Sequence, residues 1–125
     1  MRKLIIGLLL ATAIPAAAYS KTVMVEEQSI DQLQAMMTAG KASSVDLVRA
    51  YRARIAAMDR TGPALRSVIA LNPDAEAQAR ALDAERKAGR IRGPLHGVPV
   101  LIKDNVETAD AMPTTAGSLA LKDNL

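Results

Sequence analysis

From Ser29 onward, apolar positions recur every three to four residues, the spacing of one face of an α-helix. Ile30, Leu33, Met36 and Met37 form the first set. Ser29 stands ahead of it as an N-cap, with Gln32 at the capping-box position, and Gly40 follows as a C′ stop. The preceding stretch, residues 19–28, reads as a polar lead-in. Ser43 or Ser44 opens a second helix; with Ser43 as cap, Asp46 falls at N3, where a carboxylate suits the helix dipole. Val45, Val48, Tyr51, Ile55 and Met58 make its apolar stripe, while Arg49, Arg52 and Arg54 lie on other faces and read as solvated. Helices this close in sequence are expected to pack as a hairpin.

The spacing changes after Thr61-Gly62-Pro63, which breaks the helix. Residues 67–71 are a short β-branched apolar run, expected as a strand. Asn72-Pro73 then supplies N-cap and N1 of a third helix, running to about Lys87 and stopping at Gly89. Its small face of Ala75, Ala79 and Leu82 allows close approach to a sheet. Gly93-Pro94 and His96-Gly97 mark a turn, and residues 98–102 form a second strand with Pro99 at its start or on an edge. Strand, helix, strand is a β-α-β unit with a right-handed crossover, so the chain reads as α/β. Residues 105–113 are loop, and Leu119-Ala120-Leu121 begins another helix.

The N-terminus follows another pattern. Met1-Arg2-Lys3 is basic, residues 4–14 are apolar, and Ala16-Ala17-Ala18 offers small residues for cleavage. That is a secretory leader over residues 1–18, followed by residues 19–125 as the mature part. The apolar run is shorter than the about twenty residues a membrane span needs. An exported chain, periplasmic or extracellular and with no stable membrane association after cleavage, is therefore expected. Without Arg2 and Lys3 the charge balance is 14 basic against 13 acidic residues, which leaves no nucleic-acid footprint.

Cysteine is absent and His96 is the only histidine. Zinc–thiolate sites, two-histidine metal sites and cysteine nucleophiles are thereby excluded, and no cofactor is implied. Tyr19 and Tyr51 are the only aromatics, so the core has little volume per side chain and calls for a larger partner surface.

One segment concentrates the chemistry: GPLHGVPVLIKDN, residues 93–105. Its apolar run ends on Lys103, and a lysine at the end of a buried strand is costly to keep charged. The chain stops about twenty residues later, so it reads as the front of a larger enzyme. Together with TTAGSLAL, the helix around Leu33 and SSVDLVRAYRARI, this segment resembles the N-terminal part of the amidase signature family. IAAMDRTGPALRSVIALNPDA ahead of the lysine is similar to its exported peptide-amidase-like members.

The resemblance implies a mixed sheet covered by helices, into which the β-α-β unit leads. It also implies carboxamide hydrolysis by a nucleophilic serine, a bridging serine on a cis peptide, and a lysine base. The base falls on Lys103; both serines belong to a Gly/Ser-rich segment absent from this chain, and Ser118 is read as part of a loop and helix start. The implied substrate is a small amide or peptide amide, and the chain alone is expected to be inactive. Asp104 is expected to cap the following loop and point away from Lys103; His96 is expected to brace the Leu-His-Gly turn. Ala111-Met112-Pro113 replaces the Gly-Met-Pro common in the family. Two other readings are an amidotransferase-type subunit of the same family and a non-catalytic exported helical binding module.

Overall fold

Ser29 and Gln32 exchange two hydrogen bonds, Gln32 N–H to Ser29 Oγ at 3.2 Å and Ser29 N–H to Gln32 Oε1 at 2.7 Å. This capping box starts α1 (Ile30–Thr38), and the chain turns away at Gly40. The computed structural model describes residues 23–125; the leader assigned to residues 1–18 lies outside the described residues. A second capping box, between Ser43 and Asp46, opens α2 (Ser44–Ile55). The helix runs on through a π-helical turn, Ala56–Arg60, and ends at Thr61. After an irregular stretch comes α3 (Ala75–Lys87). It closes on Gly89 with paired bonds, Gly89 N–H to Arg86 O and Arg90 N–H to Glu85 O, a Schellman ending. A 3-10 turn, Leu119–Leu121, follows near the C-terminus.

Leu33, Met37, Ala42 and Leu47 form the core together with Val23 and Val25. The last two correct the polar reading of residues 19–28: the lead-in lies against α1 and α2 and buries its valines. The buried stripe of α2 is Ser44, Leu47 and Val48, with Leu47 at 0% exposure, while Met58 is exposed. Of the expected stripe, Val48 is buried, Tyr51 packs against the core, and Val45 and Ile55 are half-buried; Leu47, which the stripe omitted, packs against Val23, Val25, Leu33 and Met37. The closer helix pairing joins α2 to α3, not α1 to α2 as a hairpin; α1 contributes through side chains. Asp83 of α3 accepts from Ser44 N–H at 2.7 Å and Val45 N–H at 3.3 Å, pinning α3 to the start of α2. Ala79 is the buried residue of α3, so its small face meets a helix rather than a sheet.

No strand forms among the described residues. Residues 67–71 and 98–102 carry no ladder with each other, and Ile69, Val100, Leu101 and Ile102 are exposed. A strand needs a neighbour for its N–H and C=O groups, and these two runs find none here. Asn72 caps a turn instead of the helix itself, accepting from Asp74 N–H at 2.9 Å, and α3 starts three residues later than Asn72.

Residues 67 and 68 are held by Asp59, a carboxylate only 3% exposed. Its Oδ1 accepts from Ser67 N–H at 2.5 Å, Ser67 Oγ–H at 2.8 Å and Val68 N–H at 3.2 Å. The Ser67 hydroxyl bond is the main reason its pKa lies below the usual 3.8, and the Ser67 and Val68 amides and Arg60 act in the same direction. A folded-state pKa below the unfolded value stabilises fully above the unfolded value and ceases as pH falls through the folded one. Wild-type protein should therefore lose melting temperature below about pH 4, and Asp59→Asn should flatten that acid limb. Identical acid slopes in thermal scans of the two proteins would contradict this assignment.

Candidate active site around Lys103

The turn over residues 93–97 presents the lysine segment, and side chains from two helices anchor it. Gln34 Nε2 donates to Pro94 O at 2.7 Å and to His96 O at 3.1 Å. Arg86 Nη2 donates to His96 O at 2.9 Å and to Gln34 Oε1 at 2.7 Å. The His96 ring is 4% exposed and both its nitrogens meet backbone. Arg92 N–H donates to Nδ1 at 3.3 Å, which leaves Nε2–H to donate to Leu82 O at 3.0 Å. With both nitrogens occupied, His96 braces the turn as expected. Gly97 passes so close to α2 that an added Cβ would lie 2.1 Å from Ser44 Oγ. Gln34 and Arg86 were missed from the sequence, since partners 52 to 62 residues apart leave no local spacing to read.

Beyond this turn the chain reaches Lys103 through residues that face solvent. Leu101 is 77% exposed, and Lys103 is itself exposed and makes no ion pair among the described residues. The apolar sheath expected around the amine is thus not built by residues 23–125, because the run has no sheet neighbour on either side. The Lys103 carbonyl accepts from Val106 N–H at 2.9 Å, turning the chain just after it.

Asp104 lies next to Lys103 but its carboxylate serves the following loop. Oδ1 accepts from Thr115 N–H at 3.0 Å, and Oδ2 from the Thr115 hydroxyl and from Gly117 N–H at 3.3 Å. The hydroxyl bond, then the Thr115 and Gly117 amides, hold its pKa below the ordinary carboxylate value, with Lys103 adding a smaller effect. Ser118 Oγ accepts from Ala120 N–H and heads the 3-10 turn, the loop and helix start expected of it. Asp110 ties the loop ahead of Ala111-Met112-Pro113 to α3 through Gln78 Nε2, at 2.6 Å. An open groove of about 850 Å³ lies elsewhere, between the α1–α2 turn and α3, lined by Ser43, Asp46, Arg80, Asp83 and Lys87.

The family model described as Amidase matches residues 46–125, which include Lys103 and Asp104. The chain belongs to the amidase family. Its backbone is similar to the native peptide amidase from Stenotrophomonas maltophilia, with TM-score 0.74 and 58% identity over 78% of this chain and 20% of that one. An amidase family protein from Bacillus anthracis gives TM-score 0.75 and 42% identity over 81% of this chain and 20% of that one. A glutamyl-tRNA(Gln) amidotransferase subunit from Chloroflexus aurantiacus is 46% identical over 74% of this chain and 18% of its own length. The chain thus spans about a fifth of the length of the relatives it matches. These amidase neighbours are consistent with an α/β fold, of which the described residues form a helical part.

Proposed function

We propose that this chain carries the base of a serine-dependent carboxamide hydrolase, with Lys103 as the proton acceptor. The observation that carries the reading is the amidase match running through Lys103, together with 58% identity to a peptide amidase. A neutral ε-amine takes the proton of a bridging serine, which takes that of the nucleophilic serine. The nucleophile attacks the carboxamide carbon, the C–N bond breaks, and ammonia leaves with the relayed proton. Water then cleaves the acyl ester under the same base and releases the carboxylate. Ser–Lys arrangements follow the logic of the serine triad without its histidine. In this reading both serines, and the cover that would dry Val100 to Lys103, come from the part of the relatives' length that this chain does not span.

The substrate class is a small linear amide or peptide amide, and no cofactor takes part. A peptide amidase relative is known in complex with the competitive inhibitor chymostatin, which supports a peptide-shaped substrate. The leader pattern of residues 1–18 supports work outside the cytoplasm. Similarity to the amidotransferase favours a second reading, amide transfer onto tRNA-bound glutamate, against which the leader pattern counts.

The 125-residue chain should release no ammonia from a peptide amide, whereas enzyme from a reading frame of the relatives' full length should. Turnover by the short chain, abolished in Lys103→Ala, would overturn the need for further residues. Full-length enzyme that is inert on amides but amidates glutamyl-tRNA would establish the second reading.

A further inference from the structure

We propose that Asp104 is a positioning residue for the reaction, clasping residues 115–117 so that the Lys103 backbone is held against the loop leading to Ser118. This rests on reading Lys103 as the base.

Three consecutive residues converge on Asp104. Thr115 donates its amide and its hydroxyl, Gly117 its amide, and Ala116 N–H donates to the Asp104 carbonyl at 3.2 Å. Gly117 N–H also reaches Thr115 Oγ1 at 3.2 Å, which closes the ring of contacts. A carboxylate suits this place because it only accepts, and ionised acceptors form the stronger bonds. The loop so closed is secured at two further points, Gln78 to Asp110 and Thr114 N–H to Asn124 O at 2.9 Å.

The segment that carries Lys103 is thereby anchored at its two ends. The 93–97 turn is bolted to α1 and α3 on one side, and the Val106 bond and the Asp104 clasp follow on the other. Directing the carboxylate into the loop also keeps it from pairing with the amine, since a carboxylate in contact would favour the charged, non-basic form. The side chain of Lys103 is left free while its backbone is held.

The test uses enzyme of the relatives' full length and a peptide amide, with kcat and KM measured separately. Asp104→Ala should lower kcat by about 10²-fold, as a small misplacement of a reacting group does, with KM changed less than about threefold. Asp104→Asn keeps an acceptor for the Thr115 amide and should recover about tenfold of that loss. Asp104→Ala combined with Thr115→Val should be no slower than Asp104→Ala alone, and in a Lys103→Ala background Asp104→Ala should cost nothing more. A merely structural role would instead lower melting temperature with kcat restored on assay well below it; that result overturns the proposal. Normal kcat in Asp104→Ala with an inactive Lys103→Ala removes the clasp alone. An active Lys103→Ala removes the base and the clasp together.

Discussion

Lys103→Ala, made in enzyme of the relatives' full length, should lower kcat on a peptide amide by about 10²- to 10⁴-fold, the range for loss of a positioned base. Initial rates of ammonia release measure it. In the proposed mechanism the amine acts on serine hydroxyls and not on the substrate, so KM should move little. Lys103→Arg is the sharper variant. Arginine keeps the length and the positive charge but does not give up its proton in proteins, so it cannot accept one. If Lys103 served as a cation or a surface residue, Arg would substitute well. Near-normal turnover by Lys103→Arg would therefore sink the base assignment, even where Lys103→Ala is slow.

The second large effect is structural and lies at Gly97. Its φ of 79° is in the left-handed region, where an L side chain costs about 1–2 kcal/mol. Its missing Cβ is also what lets the turn approach α2: an alanine methyl would lie 2.1 Å from Ser44 Oγ, 3.2 Å from Ser44 Cβ and 3.4 Å from Met37 Sδ. Ser44 is fully buried, so it cannot swing out of the way, and overpacking of that kind adds about 1–3 kcal/mol. Against a typical domain stability of about 5–15 kcal/mol, Gly97→Ala should lower melting temperature sharply. Ser44→Ala in the same protein should return part of the overpacking loss and none of the backbone loss. Gly40→Ala, at φ 65° with open space around the added methyl, isolates the backbone contribution. Equal melting temperatures for Gly40→Ala and Gly97→Ala would show that the contact with Ser44 carries no energy.

The two experiments address different ends of one segment. Gly97 and His96 set where the segment leaves the helical core, and Lys103 is the proposed base. Asp104 is a third point, just past the amine. Its effect is expected on kcat, whereas that of Gly97 is expected first on stability.

The starts of α1 and α2 were legible because capping is local. Ser29 with Gln32, and Ser43 with Asp46, are three residues apart, and both boxes form as the spacing predicts. The end of α3 at Gly89 was legible for the same reason. So was the loop-capping part of Asp104, an acceptor followed by a small-residue polar run. The family resemblance was legible in the lysine segment and its flanks, and the amidase match covers them. The buried face of α2 was legible only in part: Val48 lies on the expected stripe, but Leu47 does not, and it is buried by contact with Val23, Val25, Leu33 and Met37.

By itself, then, the order of residues determined the caps of α1 and α2, turn residues, family and the identity of the candidate base. Those properties depend on neighbours within about one helical turn, or on a motif carried by a single segment. The pairing of α2 with α3, the burial of Val23 and Val25, and the Gln34–Arg86–His96 anchorage were decided by tertiary contact. So was the fate of residues 67–71 and 98–102, whose composition suits strands but which make no ladder among the described residues. The physical reason is the same throughout: a cap satisfies its hydrogen bonds with atoms already nearby, whereas a buried face or a strand requires a surface brought from elsewhere.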